Sequence, residues 1–369
     1  MVTGANGFIG KNLVVHLSEL PNITVSTFVR GSERDSLSKL VEECDAVVHL
    51  AGENRPANDD AFTEVNSGLT SELCAVIQRI YNNTGRHVPM VLTSSIQVEL
   101  DNPYGRSKLL AERAVYDLAE ATGNPCIVFR LPGVFGKWCK PNYNSVVATF
   151  CHNRARGLPI HVNEASARLR LVYVDDVVSA LLDALSEPAP GWVQAHVTPE
   201  YITTLGELAA QIETFVDGRN RLTTERVGSG FVRALYATYV SYLPKELFAY
   251  EVPQHTDSRG VFVEMLKTLD SGQFSYFTAH SGVTRGGHYH HTKTEKFLVI
   301  KGKALFKFRH LLTDECYELY SCGEDPLVVD TIPGWTHDIT NVGTDEMVVL
   351  LWANENYDRL KPDTVASKI

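Results

Sequence analysis

The chain has 369 residues, 44% hydrophobic and 21% charged, with a net charge of −10. That length favours two or three domains, each long enough for its own core, and the acidic balance, with no dense Lys/Arg run, excludes a general nucleic-acid binder. No apolar run approaches the roughly 20 residues a bilayer demands.

The N-terminus runs straight into a strand and a glycine-rich turn, unlike a signal peptide. The seven cysteines are scattered without a C-x2-C pair, which suits free thiols in a reducing compartment. A soluble cytoplasmic protein is expected, with neither membrane nor nucleic acid as partner.

The chain opens MVTGANGFIGKNLVVHLSEL, where Gly4, Gly7 and Gly10 form G-x2-G-x2-G before a helix with apolar positions at Ile9, Leu13 and Leu17. Such glycines allow a tight turn and let a pyrophosphate approach the backbone at a helix N-terminus. ITVSTFVR (23–30), DAVVHLAG (45–52) and PMVLTSSI (89–96) read as further strands with helical patterns between them. This alternation predicts an α/β, Rossmann-like, doubly wound parallel sheet. Arg30 ends the second strand about 20 residues past the glycine turn, where an NAD site usually carries an acid. An arginine there suits the 2′-phosphate of NADP; a solvated surface arginine is the competing reading.

LTSSIQVELDNPYGRSKLLAERA places Tyr104 and Lys108 four apart on one helix face, with Ser95 upstream at a strand end. A phenol that passes a proton to a carbonyl oxygen titrates near ~10 when unperturbed, so the lysine is expected to lower it. A serine hydroxyl would hold the same oxygen while hydride arrives. KWCKPNYNSVVATF (137–150) mixes lysines, asparagines and aromatics. There Asn142, Tyr143 and Asn144 could read a sugar or uracil, although a capped helix start with a packed Trp138 accounts for them equally.

Residues 1 to about 245 resemble an extended short-chain dehydrogenase/reductase acting on nucleotide sugars. The resemblance rests on the glycine turn, Val48–Gly52, Asn66, the Ser95–Tyr104–Lys108 set and RLPGVFG (130–136). It implies a cofactor site of Gly4, Gly7, Phe8, Ile9, Gly10, Arg30, Leu50, Ala51, Gly52, Tyr104 and Lys108, with Ser95 favoured over Ser94 as the catalytic serine. It also implies a nucleotide-sugar lobe over 137–176. One departure lies in ARLRLVYVDD, where Arg168 and Arg170 stand out of register with the family's usual arginine.

Helical periodicity persists to about 245, and Leu243–Gln254, with Pro244 and Pro253, reads as a connector. Beyond it come closely spaced β-type runs: GVFVEML, QFSYFTAH, EKFLVIKG, ALFKFRH, CYELY, PLVVDTI and EMVVLLW. Strands without helices predict a small barrel or sandwich over 250–369. Within it, GVTRGGHYHHTKTEKFLVIKG (282–302) carries His288, His290 and Glu295 between Gly282 and Gly302, and IPGWTHDITN adds His337. Imidazoles and a carboxylate on neighbouring strands make a cage for a divalent transition metal, zinc before magnesium. A run of surface histidines is the competing reading.

The segment resembles the first cupin motif, G-x5-HxH-x4-E-x6-G, at every required position. The second motif is one residue short, with Pro333–Gly334 where P-x-G is usual. TDSRGVFVEMLKT (256–268) and GVTRGGHYHH (282–291) resemble patterns of sugar-nucleotide 4-keto-hexose epimerases. Arg259, Glu264 and Arg285 are thereby candidate substrate contacts, against structural salt bridges as the alternative. Inverting a carbon beside a ketone needs its enolate stabilised, which a Lewis-acidic metal does, and a base and an acid on opposite faces. With the four ligands committed to metal, His291 is the candidate base.

Over essentially its whole length the chain resembles the CapF family of bifunctional enzymes of bacterial capsule and O-antigen precursor synthesis. FGKWCKPNYNSV and HYHHTKTEKFLV carry that resemblance. It implies that the cupin epimerises C3 of UDP-2-acetamido-2,6-dideoxy-hexos-4-ulose. The reductase then reduces C4 with NADPH to UDP-2-acetamido-2,6-dideoxy-L-talose, toward N-acetyl-L-fucosamine. A single-activity 4-ketoreductase with a structural or sugar-binding cupin is the alternative. A homodimer is expected.

Overall fold

The structure is a computed structural model that describes residues 1–54, 62–252, 254–257, 260–263, 266–268, 272–355 and 360–369, with 254–257, 260–263, 267, 273 and 275 described by backbone alone. Contacts divide the chain into two units, Met1–Ser145 with Leu169–Ile202, and Val146–Arg168 with Thr203–Ile369.

The first unit is built on strands β1 (Val2–Thr3), β2 (Thr27–Phe28), β3 (Val47–His49), β4 (Met90–Ser95) and β5 (Cys126–Leu131). The short β6 (Gly133–Phe135) and β7 (Arg168–Tyr173) pair in parallel, and β8 (Trp192–Ala195) returns to the main sheet. The sheet runs 2-1-3-4-5-8, parallel at every pairing. Successive strand residues point to opposite faces, and the two cores divide accordingly. Met90, Leu92 and Val128 meet Leu73, Ile77 and Val115, whereas Val2, Val91 and Ile127 meet Leu13, Val177 and Leu181. This is the doubly wound, Rossmann-like sheet that the alternation predicts. Helix Pro103–Thr122 starts with proline at its first position and an Asn102 side chain accepting from the Gly105 N–H (2.7 Å), and it ends at left-handed Gly123.

The second unit carries β9 (Tyr201–Thr204) only at its edge, then β10 (Thr223–Thr224) and β11 (Ala249–Glu251). The strands β12 (Gln254–Asp257), β13 (Gly260–Val263), β14 (Lys267–Thr268), β15 (Gln273–Ala279), β16 (Thr284–Tyr289), β17 (Glu295–Lys301) and β18 (Lys303–His310) follow. The chain ends with β19 (Cys316–Cys322), β20 (Leu327–Asp330), β21 (Trp335–Asn341), β22 (Met347–Ala353) and β23 (Val365–Ala366). Two five-stranded antiparallel sheets result, ordered 11-20-17-22-15 and 19-18-21-16-23. They are cupin-like β structure.

Segments 146–168 and 203–245, with helices Val146–Arg154, Leu205–Arg221 and Gly230–Ser241, belong to the second of these units. Specific long-range pairs explain this: Arg233 reaches Glu355 (2.6 Å) and Thr292, while Arg219 pairs with Asp330 (3.3 Å) and lies 4.5 Å over the Tyr250 ring. All seven cysteines are free thiols, and Cys44, Cys74, Cys126, Cys139 and Cys151 are buried. No helix among the described residues is long and apolar enough to cross a membrane.

Candidate active sites

At the start of the first unit the glycine turn is held by backbone approach. Gly4 has φ +67, and a Cβ there would stand 2.6 Å from the Ala51 nitrogen; a Cβ on Gly10 would collide with the Gly4 carbonyl. Phe8 and Ile9 begin the following helix, Phe8–Ser18. Thr3 Oγ1 accepts from the Leu50 and Ala51 amides (3.2 and 3.1 Å) and donates to His49 Nδ1 (2.6 Å). His49 Nε2–H then donates to Thr70 Oγ1 (2.8 Å). Burial, with the Lys108 charge in support, holds His49 down at about 3, so it stays neutral. This buried chain positions Leu50–Gly52 against the glycine turn. The bare backbone left there is the cradle a dinucleotide pyrophosphate needs.

Arg30 projects into solvent, 87% exposed, with its guanidinium 2.6 Å from Glu53. Glu53 also accepts from the Tyr143 hydroxyl (3.2 Å), and its backbone is gripped by the Asn66 side chain (2.8 and 3.0 Å). Sequence reasoning missed Glu53; its only signal was its place directly after Gly52. The loop after RLPGVFG turns through Gly136, Trp138 and Asn142, all at positive φ (148, 68 and 53). The helix after it is Val146–Arg154, so Asn142, Tyr143 and Asn144 lie on a strained loop rather than at a helix start. Arg170 closes a two-pronged pair on Glu200 (2.5 and 3.0 Å).

Ser95, Tyr104 and Lys108, the expected catalytic residues, lie on one strand–turn–helix stretch. Ser95 is the last residue of β4, and Tyr104 is the second residue of its helix. Gly105 makes their approach possible, because a Cβ there would collide with the Gln97 carbonyl. Burial pushes the Tyr104 phenol up, and a hydrogen bond with the Ser95 hydroxyl pulls it back. Lys108 is buried with Nζ donating to the Thr93 carbonyl (3.1 Å), and desolvation draws it down to about 8 against the pull of Glu112. Lys108 Nζ faces the strand carbonyl, and Ser95 is the group that offsets burial at the phenol. A phenol kept protonated at neutral pH suits proton donation to a ketone. Ser94, the rejected alternative, buries its hydroxyl without a hydrogen bond among the described residues.

In the second unit β16 and β21 are adjacent, with His288 opposite His337, and Glu295 opens β17. One ligand atom from each of His288, His290, Glu295 and His337 lies within 4.8 Å of all the others. His290 Nε2 is 3.1 Å and His337 Nε2 3.6 Å from the same Glu295 oxygen, while Lys293 Nζ is 2.6 Å from the other. Burial, with neighbouring imidazoles in support, drives His288 to about 4, and burial lowers His337. Glu295 lies well below the carboxylate range: burial opposes its charge, but His290, His337 and Lys293 outweigh it.

These residues fit a metal. The His337 ring is buried with neither nitrogen hydrogen-bonded among the described residues. Three imidazoles and one carboxylate that bring a ligand atom each within 4.8 Å of one another make the nitrogen–oxygen donor set a divalent transition metal takes. In the short second motif Gly334, at φ +84, takes the turn and donates its amide to the His290 carbonyl (3.2 Å).

A cavity of about 280 Å³ opens onto His288, Glu295 and His337, with Phe277, Phe297 and Phe308 among its apolar walls. Arg285 and Lys293 bring positive charge to it. Arg285 lies 5.0 Å over the Phe277 ring and donates to the Thr278 carbonyl (3.1 Å). His291 is buried edge-on to Tyr289 (5.5 Å) and is not among the lining residues. Arg259 and Glu264 lie outside the described residues.

Comparison with known proteins identifies the two halves. Residues 1–197 match the NAD dependent epimerase/dehydratase family, and residues 255–365 match the polysaccharide biosynthesis C-terminal domain. A Pseudomonas aeruginosa protein, UDP-2-acetamido-2,6-beta-L-arabino-hexul-4-ose reductase, is 55% identical over 369 residues, 100% of this chain and 98% of that protein. A crystal structure of CapF from Staphylococcus aureus matches at TM-score 0.67 and 40% identity, covering 100% of this chain and 99% of that one. At 20% identity, Bordetella bronchiseptica WbmF in complex with NADH matches over 59% of this chain and 76% of that one, with a TM-score of 0.51. That likeness shows the fold of the first half alone. The chain belongs to the CapF family.

Proposed function

We propose that this chain is a bifunctional nucleotide-sugar enzyme that works on UDP-2-acetamido-2,6-dideoxy-hexos-4-ulose in the cytoplasm. The β half, a cupin barrel, inverts C3. The reductase half then reduces C4 with NADPH, giving UDP-2-acetamido-2,6-dideoxy-L-talose on the way to N-acetyl-L-fucosamine. The observation that carries the reductase is the placing of Ser95, Tyr104 and a buried Lys108 on one strand–turn–helix stretch, supported by the full-length likeness to a named UDP-sugar reductase.

In the reduction a bound nicotinamide would supply hydride to C4, and the Tyr104 phenol would give its proton to the negative charge that develops on the C4 oxygen. Ser95 orients that oxygen, and Lys108, fixed by the Thr93 carbonyl, holds the cofactor side of the phenol. Asn142, Tyr143 and Asn144 offer hydrogen bonds and an aromatic face to the nucleotide sugar. Arg30 is the residue for the 2′-phosphate of NADPH.

In the epimerisation, His288, His290, Glu295 and His337 hold a divalent metal, zinc by preference. When bound, it supplies Lewis acidity beside the 4-keto group, which makes the C3 proton removable. Around that site the aromatic walls would exclude water, while Arg285 and Lys293 would meet the negative charge of the substrate. Epimerisation has to come first, because reduction removes the ketone that acidifies C3–H.

The test is incubation with the 4-keto sugar nucleotide in D2O without NADPH. Deuterium at C3, abolished by His290→Ala and retained in Tyr104→Phe, is the expected result. A second reading is favoured by the Pseudomonas aeruginosa relative, which is named as a reductase alone: a single-activity 4-ketoreductase with a structural or sugar-binding cupin. No deuterium, with NADPH still consumed, would decide for it. A homodimer completes the proposal, since edge strand β15 leaves Phe274 and Tyr276 51% and 69% exposed. Light scattering at the monomer mass would remove that part.

A further inference from the structure

The last described residues of the chain touch the backbone beside three of the four His/Glu ligands. β23 lies against β16, pairing Ala366 with His288 and Val365 with Tyr289, and the Ser367 amide donates to the Gly287 carbonyl (2.9 Å). The Ser367 hydroxyl meets that of Thr336, next to His337, at 2.9 Å.

At the head of this strap the Asp363 carbonyl bonds His290 Nδ1. Its carboxylate faces the turn after His290. Oδ1 accepts from the His291 amide (2.9 Å), and Oδ2 accepts from the Thr292 and Lys293 amides (both 2.7 Å) and the Thr292 hydroxyl (3.0 Å). Three consecutive amides converging on one carboxylate leave that turn a single conformation.

We infer that Asp363 is a positioning residue of the metal centre: its carbonyl selects the His290 tautomer, and its carboxylate sets the turn that leads from His290 to Glu295. A carbonyl has no proton to give, so Nδ1 carries the hydrogen. Nε2 is thereby the ring nitrogen left to ligate a metal, and it faces the cluster 3.1 Å from Glu295 Oε2. A partner on the far ring nitrogen fixes both the orientation and the basicity of a ligating imidazole. The carboxylate acts on the second variable, the spacing between ligands on either side of the turn. With the turn loosened, His290 and Glu295 no longer share one arrangement, and the cost falls on metal affinity. This inference rests on the metal-binding reading above, and the experiment keeps the two apart.

Full-length protein, freed of metal, would be titrated with zinc against a chromophoric chelator, and its cobalt(II) absorption spectrum recorded. Wild type is measured first. If it takes up no zinc at the site, the metal reading and this inference both fall. If it binds, Asp363→Ala is expected to bind about 10–100-fold more weakly with altered cobalt bands. Asp363→Asn, which keeps one acceptor oxygen, is expected to fall between the two. Wild-type affinity and an unchanged cobalt spectrum in Asp363→Ala would overturn the inference, whatever happens to its melting temperature, because the strap would then be a structural clasp alone. Should that variant not fold, Asp363→Asn decides by the same two readings.

Discussion

At the reductase centre Ser95, Tyr104 and Lys108 lie on one continuous strand–turn–helix segment. At the His/Glu centre the ligands arrive from β16, β21 and the start of β17, and the strap at Asp363 is needed as well. The first centre meets its polar needs from within. Lys108 has the Thr93 carbonyl and Tyr104 has Ser95, so the chain itself holds the proton that the chemistry uses. The second does not: buried imidazoles converge on Glu295, and the His337 ring lacks hydrogen bonds among the described residues.

The sharpest way to break this contrast is to disable each centre and read both activities. Tyr104→Phe is expected to lower kcat for NADPH-dependent reduction about 10²–10⁴-fold, the usual worth of a positioned general acid, with C3 exchange in D2O unchanged. A parallel loss of exchange would mean that the two centres are not independent. On the other side, Glu295→Gln is expected to weaken zinc binding at least as much as the 10–100-fold typical of losing an outer partner. Loss of exchange should accompany it. Calorimetric zinc titration checks the first, and mass spectrometry of the recovered sugar nucleotide the second.

How much of this was legible in the sequence follows the same divide. G-x2-G-x2-G, Tyr104–Lys108 and His288/His290/Glu295 are short-range patterns, and each meets its expected neighbours because local geometry sets them. Two residues that act across long separations left no pattern. Glu53 matters only because folding brings it to Arg30, Tyr143 and Asn66, and Asp363 only because β23 lies against β16. The helices of 203–245 keep an ordinary amphipathic period, which says nothing about which half they join. The Arg219–Asp330 and Arg233–Glu355 pairs carry that information. Lys108 shows a third limit: spacing placed it correctly, but only the Thr93 carbonyl reveals where its charge is directed.

That carbonyl and its buried surroundings set a pH signature. Desolvation brings Lys108 to about 8 in the folded chain, below its ordinary 10.5. The unfolded chain therefore binds the extra proton between those values, so stability rises with pH across that window and is lower below about 8. Activity should run the other way if the cation serves the reaction. The kcat/KM for ketone reduction, which reports the free enzyme, is expected to fall as pH rises through about 8. A profile flat to pH 10 would remove Lys108 as a charged participant.

The smallest expected effect concerns the coenzyme and tests how far the first centre is complete in itself. Arg30 meets Glu53 at 2.6 Å but is 87% exposed, so solvent screens the pair. A 2′-phosphate must compete with Glu53 for that guanidinium. Arg30→Ala should then raise KM for NADPH by about tenfold or less, toward the low end for a hydrogen bond to a charged group, and leave KM for NADH alone. Glu53→Gln should shift the preference the opposite way, toward NADPH, since it keeps the size of the side chain and removes the competing charge. If both substitutions change the two coenzymes equally, Arg30 is a solvated surface arginine. Glu53 would then act only through Tyr143 and Asn66, as a brace between the cofactor turn and the substrate loop.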